Sequence, residues 1–158
     1  MIFEDIAEIM AQSRKTSAWM GLDLGTKTIG VAVSDRLLSS ATPLHTVRRK
    51  KFSADAQALL DVITNRDIGA IILGLPRNMD GSEGPRCQST RAFARNLSAL
   101  TNLPIGYWDE RLSTVAAERA LLEADTSRKR RAEVIDHVAA GYILQGALDR
   151  ARHIRAVG

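Results

Sequence analysis

Three acidic positions are the residues of this chain best suited to chemistry: Asp23, the adjacent pair Asp109 and Glu110, and Asp136. Few neutralising partners stand near them in sequence. Carboxylates gathered in that way suit a hard divalent cation, Mg²⁺ or Mn²⁺, completed by water and substrate phosphate. Other chemistries have less support. His45, His137 and His153 are scattered without zinc-type spacing, and Cys87 is the only cysteine, which excludes a cysteine zinc cage and an intrachain disulfide. Each acid also has a plainer role. Asp23 could close an Asx-type turn onto the amides of Gly25 and Thr26. Glu110 could pair with Arg111, and Asp136 could complement a helix dipole.

The elements that must position these acids follow from periodicity. Residues 20–35 read as a β-hairpin. Trp19, Gly21 and Asp23 share one face of its first strand, and Met20, Leu22 and Leu24 the other. Gly21 leaves room above the sheet beside Asp23. Residues 41–47 predict a third strand, with Pro43 suited to an edge. Phe52, Ala56, Leu59, Leu60 and Ile63 mark a helix to about Asn65, with Ser53 as a plausible cap. The apolar run 69–74 fits a strand covered on both faces. A turn-rich loop over 75–85 leads to a helix through Phe93, Leu97 and Leu100, and residues 104–108 make another strand.

A further helix is expected through Val115, Glu118, Leu121 and Leu122, capped by Ser113 or Thr114, followed by a polar, basic linker over 125–131. The last helix is expected from about Ala132 to Arg150. On it Asp136, Ala139, Ala140, Ile143 and Ala147 form one stripe, whose alanines would let the helix sit close and carry Asp136 inward. The order implies an α/β fold: a mixed five-stranded sheet, a three-strand antiparallel meander plus two parallel strands, with helices on both faces. In such sheets sites form where loops diverge at strand ends. Residues 1–17 read as a leader, either a short helix or a flexible arm, residues 18–152 as one domain, and 153–158 as a tail.

At 158 residues the chain can bury one proper core, and 45% hydrophobic with 25% charged residues is ordinary globular composition. A formal charge of +4 suits a nucleic-acid partner without requiring one. The runs Arg48–Lys51 and Arg128–Arg131, and Arg77, Arg86, Arg91 and Arg95 around the long loop, can neutralise phosphates or simply form a solvated face. No stretch approaches the roughly 20 apolar residues of a membrane span. Glu4, Asp5 and Glu8 interrupt any signal-peptide core, so a cytoplasmic protein is expected.

Four stretches, 21–35, 74–82 (Gly-Leu-Pro-Arg-Asn-Met-Asp-Gly-Ser), 109–114 (Asp-Glu-Arg-Leu-Ser-Thr) and 135–145, resemble in order the motifs of the YqgF family, also called RuvX. This is a ribonuclease H-like group related to the RuvC-type Holliday-junction resolvases. The resemblance spans residues 20–150 and excludes the leader. It implies Asp23, Glu110 and Asp136 as catalytic metal ligands, with Asp109 a second choice. It also implies two divalent ions about 3.5–4 Å apart, in-line attack of water, and products with 5′ phosphate and 3′ hydroxyl ends. Lys27 stands where the family usually has a basic residue. Arg77, Arg111, Arg128, Lys129, Arg130 and Arg131 are candidates for holding nucleic-acid phosphates.

The implied function is a metal-dependent endonuclease in ribosome biogenesis, maturing the 5′ end of pre-16S rRNA, with structured RNA or a pre-ribosomal particle as partner and a monomer or homodimer as the working unit. Three other readings compete: a resolvase of branched DNA, a non-catalytic nucleic-acid-binding factor, and an actin-like ATPase or sugar kinase built on Asp-Leu-Gly-Thr (23–26). The last needs two such domains to enclose a nucleotide.

Overall fold

The computed structural model describes residues 1–112 and 128–157, the side chains of 128–136 excepted. The expected helix around Val115 to Leu122, its Ser113 or Thr114 cap, and the first part of the 125–131 linker lie outside the described residues. The elements are β1 (Ile2–Phe3), α1 (Ile6–Gln12), β2 (Ala18–Leu24), β3 (Thr28–Ser34), β4 (Ala41–Arg48), α2 (Phe52–Arg66), β5 (Ile68–Leu75), α3 (Pro85–Ser98), β6 (Ile105–Asp109), a 3₁₀ turn (Glu110–Leu112) and α4 (Arg128–Val157).

One mixed sheet runs in the order β1-β6-β5-β2-β3-β4. The antiparallel meander β2-β3-β4 and the parallel neighbours β5 and β6 are as expected, and Pro43 sits on the edge strand β4. The sheet has six strands rather than five, because β1 pairs in parallel with β6. Two residues are too few for an alternation to be read. Residues expected as a leader therefore join the body. Asp5 caps α1 by accepting the Ala7 N–H at 3.0 Å. Ile6 and Ile9 of that helix are buried.

Strand parity divides the core. Met20, Leu22, Val31, Ile71 and Leu73 face α2 and α3. Trp19, Ala32, Ala70, Ile72 and Trp108 face α1 and α4. On the second face Gly21, Ala32, Ala70 and Gly74 leave space between larger neighbours, and α4 occupies it. A Cβ added to Gly21 would fall 2.6 Å from the Leu144 Cβ and 3.1 Å from the Ala140 carbonyl oxygen.

Three boundaries differ from expectation. Phe52 opens α2 with Lys51 as its cap, and the Asp55 carboxylate accepts the Lys50 N–H at 2.9 Å. Leu100 lies beyond α3 and is exposed. Helix α4 begins at Arg128, so the second basic run is its first turn, and it continues to Val157 through residues expected as a tail. The anchor for that length is tertiary, since Ala139 to Ala151 are buried along one stripe.

Gly21→Ala should lower stability by about 1–3 kcal/mol, the usual cost of an extra methyl group in a filled core. Urea denaturation measures it, and an unchanged midpoint would contradict so close a seating of α4.

Candidate functional site

Asp23 is the penultimate residue of β2, on the α4 face, and only 4% exposed. It pairs across the hairpin with Gly30, and Gly30 in turn with Thr46 of β4. The Gly25 N–H, one of the two amides an Asx turn would engage, donates to the Thr28 carbonyl across the hairpin at 2.8 Å. On the other side β2 runs parallel to β5, and continuing the register Leu22–Leu73 by one residue brings Gly74 beside Asp23.

Glu110 follows β6 directly and is 8% exposed. Its side chain turns back over β5, so that a Cβ added to Gly74 would lie 3.0 Å from Glu110 Oε2. The same Cβ would also run into Ile143 of α4. Gly74 therefore lies between the strands of two buried carboxylates, and the space a side chain would take there is filled by Ile143. The family-type loop begins at this glycine, but its role between the acids depends on strand register, which local spacing does not show.

The α4 turn that contains Asp136 stands at the level of Asp23, because His137 Nδ1 is 3.0 Å from the Thr46 hydroxyl in the same cross-strand row. The Asp136 side chain lies outside the described residues, as do those of Arg128, Lys129, Arg130 and Arg131. Among the described residues no group of three or more His, Cys, Asp or Glu side chains is placed to hold a metal ion. The two acids brought together here are Asp23 and Glu110.

Asp109 has a different environment. It shares strand parity with Tyr107, which faces α2 and α3. Arg111 Nε and Nη2 donate to its two oxygens at 3.1 and 2.7 Å, and the Arg111 N–H adds a bond of 3.0 Å. The side-chain bonds from Arg111 are the main cause holding the Asp109 carboxyl below its ordinary value. Arg111 in turn reaches the 76–84 loop, contacting the Met79 carbonyl at 3.5 Å. The pair braces the loop against the end of β6.

The other expected phosphate ligands are dispersed. Lys27 is exposed on the β2–β3 turn. Arg77 is half-buried and lies 3.5 Å from Glu83. A cluster that local spacing does not reveal stands beside it. Arg91 donates to Glu83 at 2.6 and 2.7 Å, lies 2.9 Å from Glu4, and stacks 4.7 Å above the Tyr107 ring. These bonds raise the Arg91 pKa and hold Glu83 low. The Glu4–Arg91 pair joins residues 87 positions apart, so no local pattern announces it.

Residues 17–150 match the family model described as RuvX, Holliday junction resolvase. A protein of Ruegeria sp. (strain TM1040) bearing the name "Putative pre-16S rRNA nuclease" is 75% identical over 154 residues, 98% of this chain and 96% of its own length. One of the same name from Roseobacter denitrificans is 72% identical, covering 99% of this chain and 97% of its own. Among solved structures, Thermus thermophilus RuvC is similar with a TM-score of 0.51 at 14% identity, over 88% of this chain and 96% of that one. That likeness is one of fold. No helix among the described residues is long and apolar enough to cross a membrane.

Asp109→Asn should lower the urea midpoint at pH 7 by loosening the brace from Arg111. A carboxyl whose folded pKa is depressed stabilises the fold above its unfolded pKa, and loses that contribution as pH falls through the folded value. The gap between wild type and variant should therefore narrow below pH 3.8, the ordinary value of this carboxyl. A gap independent of pH would refute the ionic brace.

Proposed function

Because this chain belongs to the RuvX family, we propose that it is a metal-dependent endonuclease of structured RNA, acting at the 5′ end of pre-16S rRNA. The observation that carries the chemistry is the convergence of buried Asp23 and Glu110 across Gly74, beneath the helix that bears Asp136. The substrate assignment rests on the names of relatives more than 70% identical over nearly the whole chain.

The donor set fits Mg²⁺ or Mn²⁺. It consists of carboxylates, without the thiolate or imidazole groups that softer metals prefer, and no side chain at Gly74 stands between the strands that carry Asp23 and Glu110. Asp23, Glu110 and Asp136 would hold the metal, with Asp109 left to brace Arg111. When bound, a pair of divalent ions supplies an activated water and neutralises the departing oxygen. The chain's own contribution is rigidity. Asp23 is fixed within a strand paired on both sides, and Glu110 is packed against Gly74, so little reorganisation is needed as substrate arrives. Lys27 and Arg77 stand at the ends of β2 and β5, where basic groups can steady phosphates. The basic first turn of α4 would add to that field.

A branched-DNA substrate is the second reading, favoured by the family model's description as a resolvase. The chemistry is the same, and only the recognised shape differs.

The deciding experiment incubates a precursor 16S RNA fragment and a synthetic four-way DNA junction with wild type, Asp23→Asn, Glu110→Gln and Asp136→Asn, in Mg²⁺, Mn²⁺ or EDTA. The RNA should be cut only with metal, and each variant should lose about 10²–10³-fold or more, as expected for several kcal/mol of charge stabilisation. Cutting of the junction alone would transfer the assignment to a resolvase. Binding of both without cutting of either would leave a non-catalytic factor.

A further inference from the structure

Where β2 ends, a groove of ≈ 540 Å³ opens on the side of the β2–β3 turn, bounded by that turn, by Arg49 and Lys50, and by the first turns of α3. Its two arginines are anchored in an unusual way. Arg49 Nη1 donates to the Gly25 carbonyl at 2.6 Å, and Arg86 Nη2 to the Leu24 carbonyl at 3.2 Å. The Arg49 N–H also donates to the Lys27 carbonyl at 2.8 Å, which fixes its backbone to the same turn. Both guanidinium groups are thus held on the two residues that directly follow Asp23.

The anchors are neutral. Arg14, Arg36, Arg77, Arg91 and Arg111 each lie within ion-pair distance of a carboxylate. Among the described residues Arg49 and Arg86 have no such partner. A carbonyl takes one of five guanidinium donors and supplies no countercharge; Arg49 also lies 5.8 Å from the centroid of the Phe93 ring, a weak attraction that cancels no charge. Among the described residues no acid lines the groove, and the first turn of α3 contains none. Asp55, the acid nearest in sequence to the basic run, is buried and accepts the Lys50 backbone N–H. Thr26 and Ser89 add hydroxyl donors to the wall.

We propose that this groove is a phosphate subsite in which Arg49 and Arg86, carried on the carbonyls of Gly25 and Leu24 and assisted by Lys50, hold the backbone of the strand whose bond lies at Asp23. The proposal rests on the nuclease reading and extends it by giving the substrate a path. Asp23 faces α4 whereas α3 borders the groove, so the groove lies around the β2 terminus from the carboxylate; from Asp23 to Gly25 is two residues, about 7 Å of extended chain, short enough for one strand to pass both. Interactions of this kind position a strand and carry no base sequence.

The test is fluorescence anisotropy with a labelled precursor 16S RNA fragment, in EDTA so that nothing is cut, titrated across salt. The variants are Arg49→Gln/Arg86→Gln, Lys50→Gln, and Arg150→Gln/Arg152→Gln, which removes the same charge from the exposed C-terminal part of α4. The double groove variant should bind about tenfold or more weaker at low salt. Its slope of log affinity against log salt should be shallower by about 1.4, and that of Lys50→Gln by about 0.7, at roughly 0.7 for each single-strand phosphate that is no longer neutralised. The α4 variant should keep the wild-type slope. Lys50 is exposed and its side chain makes no hydrogen bond among the described residues, so its slope reads charge separately from folding. Groove variants with the wild-type slope, whatever their stability, would overturn the subsite while leaving the nuclease reading intact. Wild type that neither binds the RNA here nor cuts it with Mg²⁺ or Mn²⁺ would overturn both.

Discussion

The close seating of α4 on the sheet is the constraint on which the rest of this structure depends. A helix can approach a sheet that closely only where the strands beneath it have no side chains to interpose, and here Gly21 and Gly74 lie under Leu144 and Ile143. The opposite face of the same strands carries Leu and Ile and packs α2 and α3 conventionally. One face thus supplies ordinary apolar burial. The other gives up side-chain volume to bring a helix near the sheet, and the packing of Leu144 and Ala147 compensates for it.

That exchange determines where negative charge can be kept. A buried carboxylate is costly unless something of opposite sign or several donors face it. Asp109, two strands from Asp23 and of opposite parity, resolves the cost locally by chelating Arg111. Asp23 and Glu110 lie on the α4 face, at the strands on either side of Gly74. The contrast between neighbouring residues Asp109 and Glu110 is therefore one of direction. The 3₁₀ turn after β6 sends one carboxylate toward an arginine and the next back over the sheet.

The hairpin was legible in the sequence because alternation survives burial of both faces when Met20, Leu22, Ile29, Val31 and Val33 line one side while Gly21, Gly30 and Ala32 recur on the other. The α4 stripe was legible for the same reason, its alanines recurring at helical spacing. What escaped depends on partners distant in sequence. Strand β1 is two residues long and exists because β6 offers an edge. The start of α4 at Arg128 overrides a basic stretch that by composition reads as linker. Gly74 could be quoted as part of a motif, yet its place between two acids requires the parallel register of β5 with β2 and β6. Adjacency in sequence offered Arg111 to Glu110, and the structure binds it to Asp109.

The distribution of arginines follows the same physical logic as that of the acids. A chain of net charge +4 has cations to spare, and their value to an anionic ligand depends on what already neutralises them. Arg91 is balanced by Glu83 and Glu4 and serves to tie the N-terminal segment to the loop after β5. Arg49 and Arg86 are oriented by carbonyls, which fix geometry without cancelling charge. Those carbonyls belong to the strand that carries Asp23 and to the turn that follows it. Any shift of the β2 terminus would then move the buried carboxylate and the groove cations together, so that one hairpin couples the proposed place of reaction to the proposed path of the strand.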